Sequence, residues 1–427
     1  MSVYTDMVKN IKLPEMVEVH QKFLRPRITD VGQAVWKELH REGIRQTIKP
    51  GMTVAITGGS RGVCRIPVIL KTIVSFCREQ GAIPFIFPAM GSHGGGTAEG
   101  QKRVLESLGV TEAFCGCEIR ATMEVTQIGM TKEGHPVYMD AYAAAADVVI
   151  VVNRIKPHTA FRGSYESGLM KMMTIGMGKH AGASVCHRAG FGRMNHLVPL
   201  FGCEVLKSGK IAFGLAVLEN AYDETCHVEA LLPDEFEVRE PELLKQAYGL
   251  MGHLQFEQAD VLIVDEIGKD YSGEGADPNI TGAFPTPYAT GGLQAERRVC
   301  LGLSRASHGC GYGCGLFDTI SKRLYDQLDL DATYTNAITN TVLTAVQIPM
   351  ILPNDRDAVK TALRSCNHAN MDNPRIIRIA NTAHIERIHI STALVEEAKR
   401  NPNLELVGEP KPFPFDKDGN LTDLYLK

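Results

Sequence analysis

Four stretches of this sequence gather residue types that move protons, grip anions or hold metals. The first is Gly58-Gly59-Ser60-Arg61-Gly62. Glycines between a strand and a helix let backbone N–H groups approach a phosphate, and an arginine adds a planar fork for phosphate or carboxylate. The same glycines suit a merely tight turn, and the spacing is neither a dinucleotide fingerprint nor a Walker loop. The second is Met90-Gly91-Ser92-His93-Gly94-Gly95-Gly96. Few neighbours could cover a histidine among glycines, and imidazole titrates near neutral pH, so His93 is a proton-transfer candidate; an exposed loop histidine is the plain alternative. The third, Arg154-Ile155-Lys156-Pro157-His158, is a basic loop that either favours an anion or is simply a solvated turn.

The fourth stretch runs from Gly163 through Tyr165-Glu166-Ser167 to Lys171, and on to Gly178-Lys179-His180. Lys171 lies among methionines, where a lysine usually snorkels to water; a desolvated one becomes a nucleophile toward acyl carbon. His187, in Ser184-Val185-Cys186-His187-Arg188, offers a metal ligand, with Cys186 beside it as a weaker one. Cys115-Gly116-Cys117 and the Cys310 and Cys314 pair near His308 invite a zinc or iron–sulfur reading. Neither has the paired C-x-x-C spacing such sites use, and glycine-rich packing explains the second group as well.

The elements that must position these residues are short β-branched strands alternating with helices, the signature of α/β architecture with largely parallel sheets. Strands are expected at Thr53 to Thr57, Pro84 to Pro88 and Asp147 to Val152. A helix follows from Pro67, and another starts at Thr97 as N-cap and stops at Gly109. Each loop of interest therefore follows the carboxyl end of a strand, where open parallel sheets bind ligands. The polar segment Leu232 to Glu242 reads as a junction. After it the pattern restarts with a strand at Asp260 to Asp265, a glycine-rich loop at Gly268 to Gly275, and helices at Asp318 to Leu328, Asp355 to Cys366 and Thr392 to Arg400. The expectation is two α/β lobes, 1–245 and 246–427, with an active-site cleft between them.

A formal charge of -4 over 427 residues argues against a nucleic-acid binder, which would show a basic surplus. No apolar run approaches the ~18 residues of a membrane span, and the first residues lack the apolar core of a signal peptide. Eleven cysteines, an odd number spread along the chain, suit a reducing cytoplasm.

Taken together, these stretches resemble the nickel-dependent lactate racemases. That family binds a pyridinium mononucleotide whose two sulfur-bearing arms and one ring carbon grip nickel, a pincer. One family histidine follows a Gly-Thr-His type loop, matched by Gly91-Ser92-His93; a second lies in a Pro-His pair, matched by Pro157-His158. A lysine anchors the cofactor as a thioamide, and a histidine sixteen residues on binds nickel; Lys171 and His187 stand sixteen apart. The likeness covers roughly residues 50 to 200. The stretch from His158 to Lys171 is somewhat longer than the family pattern, with Tyr165-Glu166-Ser167 in place of part of a Gly-Gly run.

The resemblance implies a racemase or 2-epimerase of a 2-hydroxy acid. His93 and His158 would be the acid and base, Lys171 the cofactor anchor and His187 the nickel ligand. Ser60 and Arg61 would hold a phosphate or the substrate carboxylate, with Arg65 a second candidate for that arginine. It also implies partner proteins that make the cofactor. Oxidation to a 2-keto acid and return of hydride to either face inverts the centre without direct deprotonation of a very weak acid, and the cofactor carries the hydride. For the family's substrate patch in the second lobe, Lys269 and Asn279 stand by position only. Glu166 and the Asp270-to-Gly275 loop suggest a hydroxyl-rich substrate. Two other readings remain: a zinc-dependent lyase or hydrolase ligated by His93, His158 and His187, and a non-catalytic binder of a sugar acid or nucleotide.

Overall fold

In the computed structural model, residues 3–424 are described, with Thr339 described for its backbone alone. The chain divides into two compact units, one comprising Leu24–Met251 and the other formed by residues up to Phe23 together with those from Gly252 onward. Both are α/β with mostly parallel sheets, as the alternation of strand and helix patterns implies.

The Leu24–Met251 unit is built on five strands in the spatial order Ile83–Pro88, Thr53–Gly58, Val148–Arg154, Ile211–Glu219, Thr225–Leu231. The first four run parallel and the last antiparallel. Ile211–Glu219 is buried along its whole length, which is why it reads as a continuous apolar run. Two apolar clusters cover the sheet, one containing Val149, Val151 and Phe201 and the other Ile56, Ile150 and Phe213. The strand order reverses about Thr53–Gly58, which has Ile83–Pro88 on one side and Val148–Arg154 on the other. The carboxyl ends at that reversal are the topological switch point, and the Ser60, His93 and His158 loops all leave the sheet there.

Helix starts follow local chemistry. Pro67 sits in the first turn of helix Ile66–Glu79, where its missing N–H costs nothing. Thr97 caps helix Ala98–Ser107 by accepting from the Gly100 N–H at 3.1 Å.

The second unit holds eight strands in the order Met350–Leu352, Thr319–Ser321, Gln294–Cys300, Gln258–Val264, Ile376–Ile379, Arg387–Ser391, Met16–Gln21, Leu404–Lys411. The first five are parallel and the rest antiparallel. The expected break between 245 and 246 falls inside helix Phe236–Leu250, and the chain leaves the first unit only at Met251. Met16–Gln21 belongs to the second unit because both its edges are paired there, with Arg387–Ser391 and Leu404–Lys411. The helix expected at Asp318 to Leu328 is instead strand Thr319–Ser321 followed by a single turn, Lys322–Tyr325. Thr319, Ile320 and Ser321 are all buried between parallel neighbours, and Ser321 caps the turn through the Leu324 N–H. All eleven cysteines are thiols, and no described helix is long and apolar enough to cross a membrane.

Candidate active site

His93 is exposed on a loop whose backbone follows its glycines: φ is positive at Gly91, Gly94, Gly95 and Gly96. At Gly94 a side chain is impossible for a second reason, since a Cβ there would lie 2.7 Å from the Gly100–Gln101 backbone. The loop is pinned from below by Gln101, which donates to the carbonyls of Gly91 at 2.8 Å and His93 at 3.2 Å. Gln101 in turn accepts from Lys179 at 2.8 Å. Lys179 also donates to the Pro88 carbonyl at 2.5 Å and pairs with Asp140 at 3.1 Å. Lys179 and Asp140 are both fully buried, and burial pushes each toward its neutral form, the lysine down and the aspartate up. The Ser60 hydroxyl lies 2.5 Å from His93 Nδ1, which joins the first loop to the second.

Arg61, next to Ser60, is exposed, and its positive charge is felt at His158. Arg65 instead takes a left-handed conformation (φ 61°) just before its helix, on an exposed side chain. In the basic loop, Arg154 pairs with the buried Glu219. Pro157 then leads to His158, whose ring packs on Phe161 with centroids 4.4 Å apart. His158 Nε2 and Lys171 Nζ are hydrogen-bonded. Burial first, and then the basic groups around it, Lys171, Arg162, His187 and Arg61, hold His158 well below the ordinary imidazole value.

Lys171 ends the short helix Leu169–Lys171, which continues into a π-helical turn, Met172–Gly176, closed by the Met177 N–H donating to the Met172 carbonyl at 2.9 Å. Such turns recur at functional sites because they shift the side chains that follow. The helix begins at Gly168, where a Cβ would sit 2.0 Å from the Glu240 carboxylate. That carboxylate accepts from the Met170 N–H at 3.0 Å, and burial raises Glu240 to about 8. His187 lies in the last turn of helix Lys179–Arg188 and stacks on Phe191 at 5.8 Å. Burial, then Lys171 and His180, lower it to about 4, so its imidazole is neutral at physiological pH and able to bind a metal.

Contact joins Ser60 to His93 and His158 to Lys171, and charge relates Arg61 and His187 to His158. Among the described residues no three His, Cys, Asp or Glu side chains gather as they would around one ion, so His93, His158 and His187 form no such triad. Glu166, expected from the sequence to suggest a hydroxyl-rich substrate, is engaged by its own chain. It is buried, not facing solvent, and accepts from the His158 and Gly163 N–H groups, Arg162 and Tyr248. Lys269 and Asn279 lie in the other unit. Lys269 donates to the Gly273 carbonyl at 2.7 Å and covers the Tyr312 ring, and Asn279 donates to Asp277 at 2.9 Å.

With this geometry in place, the comparison with known families is specific. Residues 12–196 match the lactate racemase N-terminal domain. Every candidate residue at the switch point, from Ser60 to His187, falls within the lactate racemase domain match. Among solved structures, lactate racemase apoprotein from Thermoanaerobacterium thermosaccharolyticum aligns over 81% of this chain and 86% of its own, with 14% identity and a TM-score of 0.49. No protein of curated function matches the sequence.

Proposed function

We propose that this protein is a racemase or 2-epimerase of a 2-hydroxy acid that works with a nickel-pincer nucleotide anchored on Lys171. The observation that carries the proposal is the hydrogen bond between Lys171 and His158, with a neutral His187 electrostatically coupled to the same lysine. It lies inside the lactate racemase domain match. The donor set fits the cofactor: a half-buried amine for attachment, one neutral imidazole for a soft metal, and flanking Phe161 and Phe191 rings. When bound, such a group supplies a reversible hydride acceptor beside the substrate carbon.

The chain supplies the rest. His93 Nδ1 is engaged by Ser60, so Nε2 is the atom that takes or returns the hydroxyl proton on its side. His158 serves through Nε2, the nitrogen turned toward Lys171. Arg61 brings a fixed positive charge for the substrate carboxylate or the nucleotide phosphate. The Phe161 ring beside Lys171 and the Phe191 ring beside His158 give the site apolar walls. The expected partners are a small 2-hydroxy acid and the proteins that make the cofactor, in the cytoplasm.

Co-expression with cofactor-making proteins should yield a mass increase mapped to Lys171, nickel in equimolar amount, and racemisation of a 2-hydroxy acid. Lys171→Ala should lose all three. Full activity in Lys171→Ala refutes the proposal.

A further inference from the structure

The peptide of His158 is held at both ends. Its N–H donates to Glu166 Oε2 at 2.7 Å, and its carbonyl accepts from Arg162 Nη1 at 2.5 Å. Arg162 also reaches Glu166 at 3.3 Å. The other carboxylate oxygen accepts from the Gly163 N–H at 3.2 Å and the Tyr248 hydroxyl at 2.9 Å. Glu166 is 2% exposed, so four hydrogen bonds from its own chain replace its water. The ring is held as well: Nδ1 of His158 accepts the Ala160 N–H at 3.0 Å, while Nε2 meets Lys171.

This arrangement locates a proton. A backbone amide can only donate, so Nδ1 is bare, and the single proton of a neutral imidazole must sit on Nε2. The Nε2–H then donates to Lys171, which must offer a lone pair and is therefore an amine. Were Lys171 an ammonium donating to Nε2, both ring nitrogens would be acceptors and the ring an imidazolate, a species foreign to neutral water. We propose that the His158–Glu166 loop, with Glu166 as its positioning residue, fixes His158 as the Nε2–H tautomer and thereby holds Lys171 unprotonated, ready to attack an acyl carbon. In that attack the nitrogen lone pair forms the N–C bond, the leaving group departs with its electron pair, and the nitrogen releases one proton to solvent. Arg61, Arg162 and His187, the other basic groups around the pair, disfavour any further positive charge there. The inference deepens the reading of Lys171 as the cofactor anchor and rests on it for its biological purpose.

The test uses the full chain expressed without cofactor-making proteins, so it does not depend on racemase activity. Brief acetylation at neutral pH with an N-hydroxysuccinimide ester, mapped by peptide mass, should modify Lys171 about tenfold faster than the exposed Lys132. Nitrogen-15 spectra of the His158 ring should show a protonated Nε2 and a bare Nδ1. In Glu166→Gln the tautomers should mix and Lys171 should fall to the rate of Lys132. Tyr248→Phe, which removes one of the four donors, should move both readouts the same way by less. Acetylation of Lys171 no faster than Lys132, or an Nδ1–H ring in the unmodified protein, overturns the inference. Fast acetylation in a chain that never racemises a 2-hydroxy acid upholds it and refutes the proposed function instead.

Discussion

Lys171 and Lys179 lie eight residues apart in one methionine- and glycine-rich segment, and the fold uses them in opposite ways. Lys179 is wholly enclosed, adopts a positive φ of 55°, and spends its donors on Asp140, Gln101 and the Pro88 carbonyl. A non-glycine residue there costs of order 1 kcal/mol or more, so its contacts must outweigh that strain. Lys171 is only half-buried and rests against an imidazole. Burial alone does not mark a reactive lysine. The fully buried one has a carboxylate for its charge and holds the His93 loop in place, while the half-open one meets a ring that competes with it for a proton.

The largest effect should come from breaking the structural member. Lys179→Met leaves Asp140 buried without its cation and should cost about 3–5 kcal/mol of unfolding free energy in urea titration. Lys171→Met should stay within about 1 kcal/mol of the parent, as expected for a half-buried site. Equal losses in the two variants would erase the contrast. Next is Glu240, at the start of the helix that presents Lys171. Its carboxyl is raised in the folded state, so the folded chain keeps a proton that the unfolded chain releases. Its contribution is therefore full below pH 4.5 and is lost as pH rises toward 8. Glu240→Gln should flatten the fall in stability across that window and stabilise the protein at pH 8, read from thermal melts at several pH values. A fall in the variant as large as in the parent would show that the folded Glu240 carboxyl is not raised. A smaller effect than that of Lys179→Met is expected for Gln101→Met, which removes the two bonds to the His93 loop and the acceptor for Lys179 and should cost about 1–2 kcal/mol. It should also loosen His93, seen as faster amide exchange at Ser92 and His93 with no change at His158.

Much of this was legible in the residues. The strands at Thr53, Pro84 and Asp147 announced themselves by short β-branched or aromatic runs, and the loops that follow carry the candidate residues. Lys171 and His187 were tied together by their interval rather than by either environment. The role of Glu166 was not legible, because a carboxylate between Tyr165 and Ser167 looks solvated until the loop folds back on His158. Gln101 and Lys179 were hidden for the same reason: they bond to each other across 78 positions, and Lys179 reaches Pro88 across 91. The stretch from Asp318 was misread because its run of Lys, Arg, Leu and Tyr is helical in propensity, while two parallel neighbours hold Thr319–Ser321 extended.

The strand Met16–Gln21 carries a consequence for how the protein is made. It is made before the Leu24–Met251 unit, yet its partners, Arg387–Ser391 and Leu404–Lys411, are made after it. Until then this strand waits with its backbone donors and acceptors unpaired by them, while the Leu24–Met251 unit can fold. Completion of the second unit therefore has to await synthesis of Leu404–Lys411. A nascent chain stalled after Met251 would display a finished Leu24–Met251 unit preceded by an unpaired β-strand, a natural handle for chaperones.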